Sequence, residues 1–233
     1  MRAACAIWPG QRNPSLCRRS AAMAESPDWY DDLGGMLRNV LEELKDAVDE
    51  RDHGFRTFSV ATIGLDGAPR SRIVVLRGVD AAVGEVRFHT DLRSRKIVEL
   101  GVHEAVSLLF YDQDRKLQVR VRGTARILTL ADDRPDDRAA AAFAGARPGS
   151  RVCYRVEPGP GTVIPEPDGY AHQDVADGLD GDIASDPGSD NFAAVLVACN
   201  EIEILYLASE GHRRARFRRK AGNAPYRGEW LTP

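Results

Sequence analysis

This chain predicts a mainly β protein, an antiparallel β-barrel with a few α-helices, and three observations carry that expectation. From Arg56 onward apolar residues recur with a period of two instead of the three-four spacing of a helix. Asp66-Gly67, set between two apolar runs, is a strong hairpin signal. Six or more short runs of this kind follow one another with few helical stretches between them. A sheet closed on itself, with no edge left unpaired, accommodates such a series.

The elements follow in order. Asp31 and Asp32 stand as caps ahead of Leu33, Met36, Leu37, Val40, Leu41, Leu44 and Val48, a three-four spacing that predicts an amphipathic helix. Phe58, Val60 and Thr62 then alternate up to the Asp66-Gly67 turn, and the partner strand runs from Ser71 to Gly78. Glu85 to Thr90 gives a third strand, after which Ser94 is placed to cap a short helix carrying Ile97, Val98 and Leu100. Ala105–Tyr111 and Leu117–Leu128 read as two long strands joined by a polar turn at Asp112–Arg115. Leu130–Phe143 is alanine-rich and reads as a helix that Arg147-Pro148-Gly149 ends. Strands resume at Phe192–Ala198 and Ile202–Ala208, with an Asn200-Glu201 turn between them, and continue at Ala215–Arg218 and Trp230-Leu231.

Composition narrows the function. The chain has 233 residues, 43% of them hydrophobic, enough for a packed core. Its 32 Lys and Arg against 35 Asp and Glu give a net charge of -3, which argues against a general nucleic-acid binder. No apolar run reaches the length of a membrane-spanning helix. Cys5, Cys17, Cys153 and Cys199 have no paired spacing, and no His, Asp and Glu spacing argues for a metal, so reduced thiols and a cytoplasmic setting are expected. Residues 1–22 carry Arg2, Arg12, Arg18 and Arg19 and no acidic residue. They read as a disordered or mis-assigned extension ahead of Met23, with a transit peptide as the other reading. Residues 23–233 then form a single domain, with a Gly-, Pro- and Asp-rich mobile loop at about 157–190.

The charge is unevenly spread. From Pro69 to Lys96 the chain holds Arg70, Arg72, Arg77, Arg87, Arg93, Arg95 and Lys96 against Asp80, Glu85 and Asp91. Alternation along the strand points Arg72, Val74 and Leu76 to one face, and Ile73, Val75 and Arg77 to the other. Ser94-Arg95-Lys96 at a helix start adds free N–H groups and the positive end of the helix dipole, which suits a phosphate. The competing reading is a solvated basic edge.

Order and spacing together carry a family resemblance. Arg72-Ile-Val-Val-Leu-Arg77, Phe88-His-Thr90, Ser94-Arg-Lys96, Leu108-Leu-Phe110 and Leu117-Gln118-Val-Arg-Val-Arg-Gly123 resemble the pyridoxamine 5'-phosphate oxidase family, the FMN-binding split barrels. The likeness is closest over Arg56–Leu128. It implies a homodimer with FMN at the interface and a small, anionic or phosphorylated substrate. By resemblance, Arg72, Arg95 and Lys96 hold the FMN phosphate with Thr90 and Ser94. Ile73, Val74 and Val75 lie along the flavin ring with Arg77 at its polar edge, and the His89 backbone meets the flavin. Gln118 hydrogen-bonds the flavin, Tyr206 stands where the family has an aromatic beside it, and Arg216 matches a late arginine that reaches the cofactor.

The chain also departs from the pattern. The family's Arg-x-His pair is replaced by Gly211-His212-Arg213-Arg214-Ala215-Arg216-Phe217, in which His212 and Arg214 are the substrate candidates. For the substrate phosphate the nearest counterparts are Arg77, Arg147 and Ser150, while Phe143 stands where the family has Tyr. A Gln-Ser pair that contacts FMN gives way to Pro158-Gly-Pro-Gly161, and an acidic loop, Asp168–Asp190, follows. The resemblance implies an FMN-dependent oxidoreductase; a non-catalytic flavin-binding module, or the same barrel holding a deazaflavin, is the alternative.

Overall fold

A computed structural model describes residues 26–131, 137–166, 185–220 and 224–233. The N-terminal extension and most of the acidic loop lie outside the described residues. Helix α1 (Leu33–Asp49) starts where Asp32 accepts a hydrogen bond from the Gly34 N–H at 2.9 Å, and it buries Met36, Val40, Leu44 and Ala47 along one stripe. Strands β1 (Thr57–Ile63), β2 (Pro69–Asp80) and β3 (Glu85–Asp91) form a meander, with Gly67 at φ 78° in the β1–β2 turn, a backbone state that favours glycine. Helix α2 (Arg95–Val102) leads to β4 (Ala105–Asp112) and β5 (Leu117–Thr129). Short helices α3 (Arg138–Ala144) and α4 (Pro148–Arg151) precede β6 (Phe192–Tyr206), β7 (Arg213–Arg218) and β8 (Arg227–Leu231).

The sheet order is β3-β2-β1-β4-β5-β6-β7-β8, and a further β3–β6 pairing closes the first six strands into an antiparallel barrel. Phe58, Val60, Leu108, Phe110, Val119 and Val121 point inward, and the Phe58 and Phe110 rings stack at 4.4 Å. A second apolar cluster packs α3 against β6 through Phe143, Tyr154 and Phe192.

Three expectations need correction. The residues read as two strands joined by an Asn200-Glu201 turn form one strand of 15 residues. Its pairing with β5 passes from Arg122↔Glu201 to Gly123↔Cys199, which leaves Asn200 as the extra residue of a bulge. The bend lets residues 192–198 pair with β3 and residues 201–206 pair with β7. The helix expected over Leu130–Phe143 is described only from Arg138, and Pro148 opens α4 as its first residue instead of ending the helical run. The sheet also keeps an edge: β7 and β8 extend from the barrel, with β8 outermost.

Candidate functional site

The described structure sorts the expected site residues into three groups. The first gathers Arg72, Thr90, Ser94 and Lys96. Thr90 and Asp91 end β3 and Ser94 begins α2, so the strand-to-helix corner sets their hydroxyls side by side at 3.2 Å. Lys96 donates to Thr90 Oγ1 at 2.8 Å and Ser94 Oγ at 3.1 Å. Ser94 was expected to cap α2, but it makes no side-chain cap bond because its hydroxyl is turned to Thr90 and Lys96. The first-turn N–H groups of α2 are left without a side-chain cap, and such a terminus favours an anion. Burial, then the nearby charge of Arg72, holds Lys96 below the usual lysine range.

Arg72 points inward, as alternation requires. It donates to Glu99 at 2.8 Å and to the Thr62 hydroxyl, and Thr62 itself donates to Glu99 at 2.6 Å. Burial works to raise the Glu99 pKa, but the bonds from Thr62 and Arg72 outweigh it and keep the carboxylate below its ordinary range. Sequence reasoning missed Thr62 and Glu99. The signal was Thr62, a polar residue at an inward position of the Phe58-Val60-Thr62 alternation, which needs a buried partner. Arg95 lines a neighbouring cavity of about 350 Å³ with Arg70, Val98, Glu99 and the Gly64–Asp66 turn.

The second group forms around Arg77. Pairing between β2 and β3 jumps from Leu76↔Phe88 to Gly78↔Arg87, so Arg77 is the extra residue of a bulge. Arg77, His89, Arg147 and Ser150 line one cavity of about 240 Å³, together with Arg56, Arg87 and Tyr154. Burial, followed by the charges of Arg87 and Arg77, lowers the His89 pKa to about 3, so its ring is neutral near pH 7. Burial raises the Tyr154 phenol to about 12. Helix α4, which carries Ser150, is tied down where Asp186 meets Arg155 at 2.8 Å and Arg151 at 3.3 Å. Arg93 donates to the Val156 carbonyl at 2.9 Å, which fastens the following segment to the end of β3.

The third group lies on the outer face of the barrel. Ile73, Leu109 and Tyr111 are exposed there, and Gln118 of β5 stands opposite Tyr111 of β4 and Leu205 of β6. Val75 occupies the same outward set as Ile73, whereas Val74 packs against the core. Tyr206 packs edge-on to Trp29 and Tyr30 at 5.0 and 6.0 Å. The arginines near it are engaged within the chain: Arg214 with Glu203 at 2.8 Å, Arg216 with Glu229 at 2.7 Å, and Arg213 with Asp31 at 2.7 Å. His212 sits in the turn before β7. Neither β2 nor β3 pairs with β7, and β3 pairs with β6 only over residues 192–198, with Thr90 opposite Ala193, so the Lys96 cluster lies apart from Tyr206 at the far end of β6 and from Arg216 on β7.

Among the described residues no group of His, Cys, Asp and Glu could hold a metal ion, and no helix is long and apolar enough to cross a membrane. Residues 37–129 match the family model described as pyridoxamine 5'-phosphate oxidase, FMN-binding domain. A pyridoxine/pyridoxamine 5'-phosphate oxidase of Thermosynechococcus vestitus is 38% identical over 89 residues, 38% of this chain and 41% of that protein. The Caulobacter vibrioides protein of the same name is 37% identical over 91 residues, 39% of this chain and 40% of that protein. The chain thus matches about two-fifths of the length of these relatives. Among solved structures, a pyridoxamine 5'-phosphate oxidase-related, FMN-binding protein of Nostoc punctiforme superposes with a TM-score of 0.67 at 20% identity, over 90% of this chain and 100% of that one. PhzG of Burkholderia lata, solved with tetrahydrophenazine-1-carboxylic acid, gives 0.67 at 22% identity, over 89% and 98%. At such identities the two structures speak for the fold.

Proposed function

We propose, from the match of residues 37–129 to the FMN-binding domain of the pyridoxamine 5'-phosphate oxidase family, that this chain is a cytoplasmic FMN-dependent oxidoreductase acting on a small anionic substrate. The observation that carries the cofactor assignment is Lys96. Its ammonium is partly buried, and among the described residues it is bonded only to two hydroxyls, with Arg72 near and the start of α2 uncapped. A cation so placed favours an anion, and a phosphate monoester suits the mix of hydroxyl, ammonium, guanidinium and N–H donors.

On this reading Arg72, Lys96, Thr90 and Ser94 hold the FMN phosphate and Arg95 approaches from the adjoining cavity. Glu99 and Thr62 orient Arg72. The flavin, when bound, supplies the hydride-accepting chemistry; the chain supplies anchors, ring contacts and a slot for substrate. Ile73, Val75 and Gln118, with the backbone of Val74, lie along or beside the ring. Arg77 at its bulge stands between the ring and the second cavity, where Arg147 and Ser150 hold the substrate's anionic group and His89 offers a neutral ring. Tyr206 lies at the far end of β6 and His212, Arg214 and Arg216 lie before or on β7, outside the stretch of β6 that pairs with β3, and this favours a homodimer in which a second copy brings them to the exposed Ile73, Leu109 and Tyr111 face. A second reading, a flavin-binding module without turnover, is favoured by one fact: Arg214 and Arg216 already have carboxylate partners within the chain.

The test is spectroscopic. Purified protein should show a flavin absorbance spectrum that Arg72→Ala combined with Lys96→Ala abolishes, and colourless protein that refuses added FMN would defeat the proposal. Hydrogen peroxide released on adding pyridoxamine 5'-phosphate supports turnover of that amine. Intact FMN binding with no reduction by candidate amines favours the module.

A further inference from the structure

The cavity around Arg77 carries more positive charge than one anionic group can satisfy. Four guanidiniums line it, from Arg56, Arg77, Arg87 and Arg147, and the carboxylate of Asp49 is the single acidic group among its lining residues. They come from separate elements: Arg77 and Arg87 from the β2–β3 pair, Arg147 from the segment that starts α4, and Arg56 from the turn after α1. Among the described residues Arg77 and Arg147 have no carboxylate within ion-pair distance. Arg56 donates to the carbonyls of Ala47 and Val48 at the end of α1, and Arg87 donates to the Arg77 carbonyl at 3.0 Å. These bonds fix both guanidiniums in place without neutralising either. Arg87 Nε and His89 Nε2 are buried and have no hydrogen-bond partner.

Cations collected in a partly buried cavity are costly unless an anion joins them. A single carboxylate offers two oxygens and about four acceptor sites, fewer than four guanidinium forks supply. One carboxylate together with Asp49 would also leave two of the four charges unmatched within the cavity, since Glu85, the carboxylate whose charge reaches Arg87, is held by Arg138 at 2.9 Å. Burial first, and then the charges of Arg77 and Arg147, lower the Arg56 pKa, so both of these arginines act on Arg56 across the cavity they line together.

We propose that Arg56 and Arg87 are specificity-determining residues that give this cavity a second anion position, so that its ligand carries two anionic groups. Two carboxylates, or a phosphate and a carboxylate, share the required chemistry. Arg77, Arg147 and Ser150 take one group; Arg87, Arg56 and the neutral His89 ring take the other. The inference rests on the reading of this cavity as the substrate site.

Calorimetric titration of the full-length, FMN-loaded protein tests it with malonate, 2-phosphoglycolate, orthophosphate and acetate. The expected result is that malonate or 2-phosphoglycolate binds about tenfold or more tightly than acetate and orthophosphate. Which of the two wins tells a dicarboxylate ligand from a phosphate-bearing one. Arg87→Gln and Arg56→Gln should each remove that preference, bringing the bis-anion down to the affinity of the single-group probes while leaving those probes almost unchanged. Equal affinities for all four probes in the unaltered protein, or a loss in either variant that falls equally on acetate and malonate, would overturn the proposal. The comparison of probes in the unaltered protein decides even if a variant fails to fold. Protein that binds no FMN but keeps the bis-anion preference would overturn the flavin assignment and leave this one standing.

Discussion

Lowering the pH from 7 to 5 should destabilise this protein by about 2 kcal/mol through one residue, His89. Its ring sits between β3 and the α3–α4 layer, edge-on to Phe192 at 4.9 Å, and it lines a cavity with Arg56, Arg77, Arg87, Arg147, Asp49 and Tyr154. Burial, Arg87 and Arg77 lower its pKa to about 3 from an ordinary 6.5. The folded protein therefore keeps the ring neutral, while the unfolded chain takes up a proton below about pH 6.5. With more protons on the unfolded state, the stability contributed by the neutral ring is complete above pH 6.5 and is lost progressively as the pH falls toward about 3. At pH 5 the unfolded imidazole is about 1.5 pH units below its pKa, and at roughly 1.4 kcal/mol per unit the loss is about 2 kcal/mol. For a domain of this size that corresponds to roughly 4–8 °C in Tm. Urea unfolding of the native protein and of His89→Gln at both pH values, in a buffer free of phosphate and carboxylates, isolates the effect. The carboxylates held low by their partners, Glu99, Asp112 and Asp186, contribute equally to both proteins. If native and variant lose the same stability between pH 7 and 5, the neutral buried ring is wrong.

Three further outcomes follow from packing. A Cβ at Gly123 would lie 2.3 Å from the Ala198 carbonyl beside the β5–β6 bulge, so Gly123→Ala should lower stability by about 1–3 kcal/mol in urea unfolding. Asp186 and the Arg151 and Arg155 side chains facing it are nearly fully buried, and Asp186→Asn should cost about 3 kcal/mol and increase proteolysis around α4. The Tyr30 hydroxyl donates to the Gly211 carbonyl beneath the Arg213 guanidinium, so Tyr30→Phe should cost about 1 kcal/mol and quicken amide exchange in the 207–212 turn.

The strands were legible because inward and outward residues alternate along each of them, and Phe58, Val60, Leu108, Phe110, Val119 and Val121 all lie inside as that pattern requires. The basic cluster was legible because Thr90, Ser94 and Lys96 are only six residues apart and a strand-to-helix corner brings such neighbours together. The turn expected at Asn200-Glu201 failed because a polar pair between apolar runs looks the same whether it turns the chain or bulges a strand. The strands on either side of β6 decide between the two, and they come from residues 85–91, 117–129 and 213–218.

By itself the sequence determined the class of fold, the run of strands over residues 57–129, the family resemblance and the segment rich in phosphate-binding residue types. These depend on local period and on residues close in the chain. Tertiary structure alone decided that Arg77 leaves the β2–β3 ladder at a bulge and joins Arg147 and Ser150, about seventy residues away, in a cavity with Arg56 and Arg87. It also decided that Ser94 turns from the helix it begins toward Lys96, and that Glu99 takes Arg72 as its partner. Register, bulges and ion pairs between distant elements are set by which surfaces meet when the barrel closes, and that closure joins β3 to β6 across more than a hundred residues of chain.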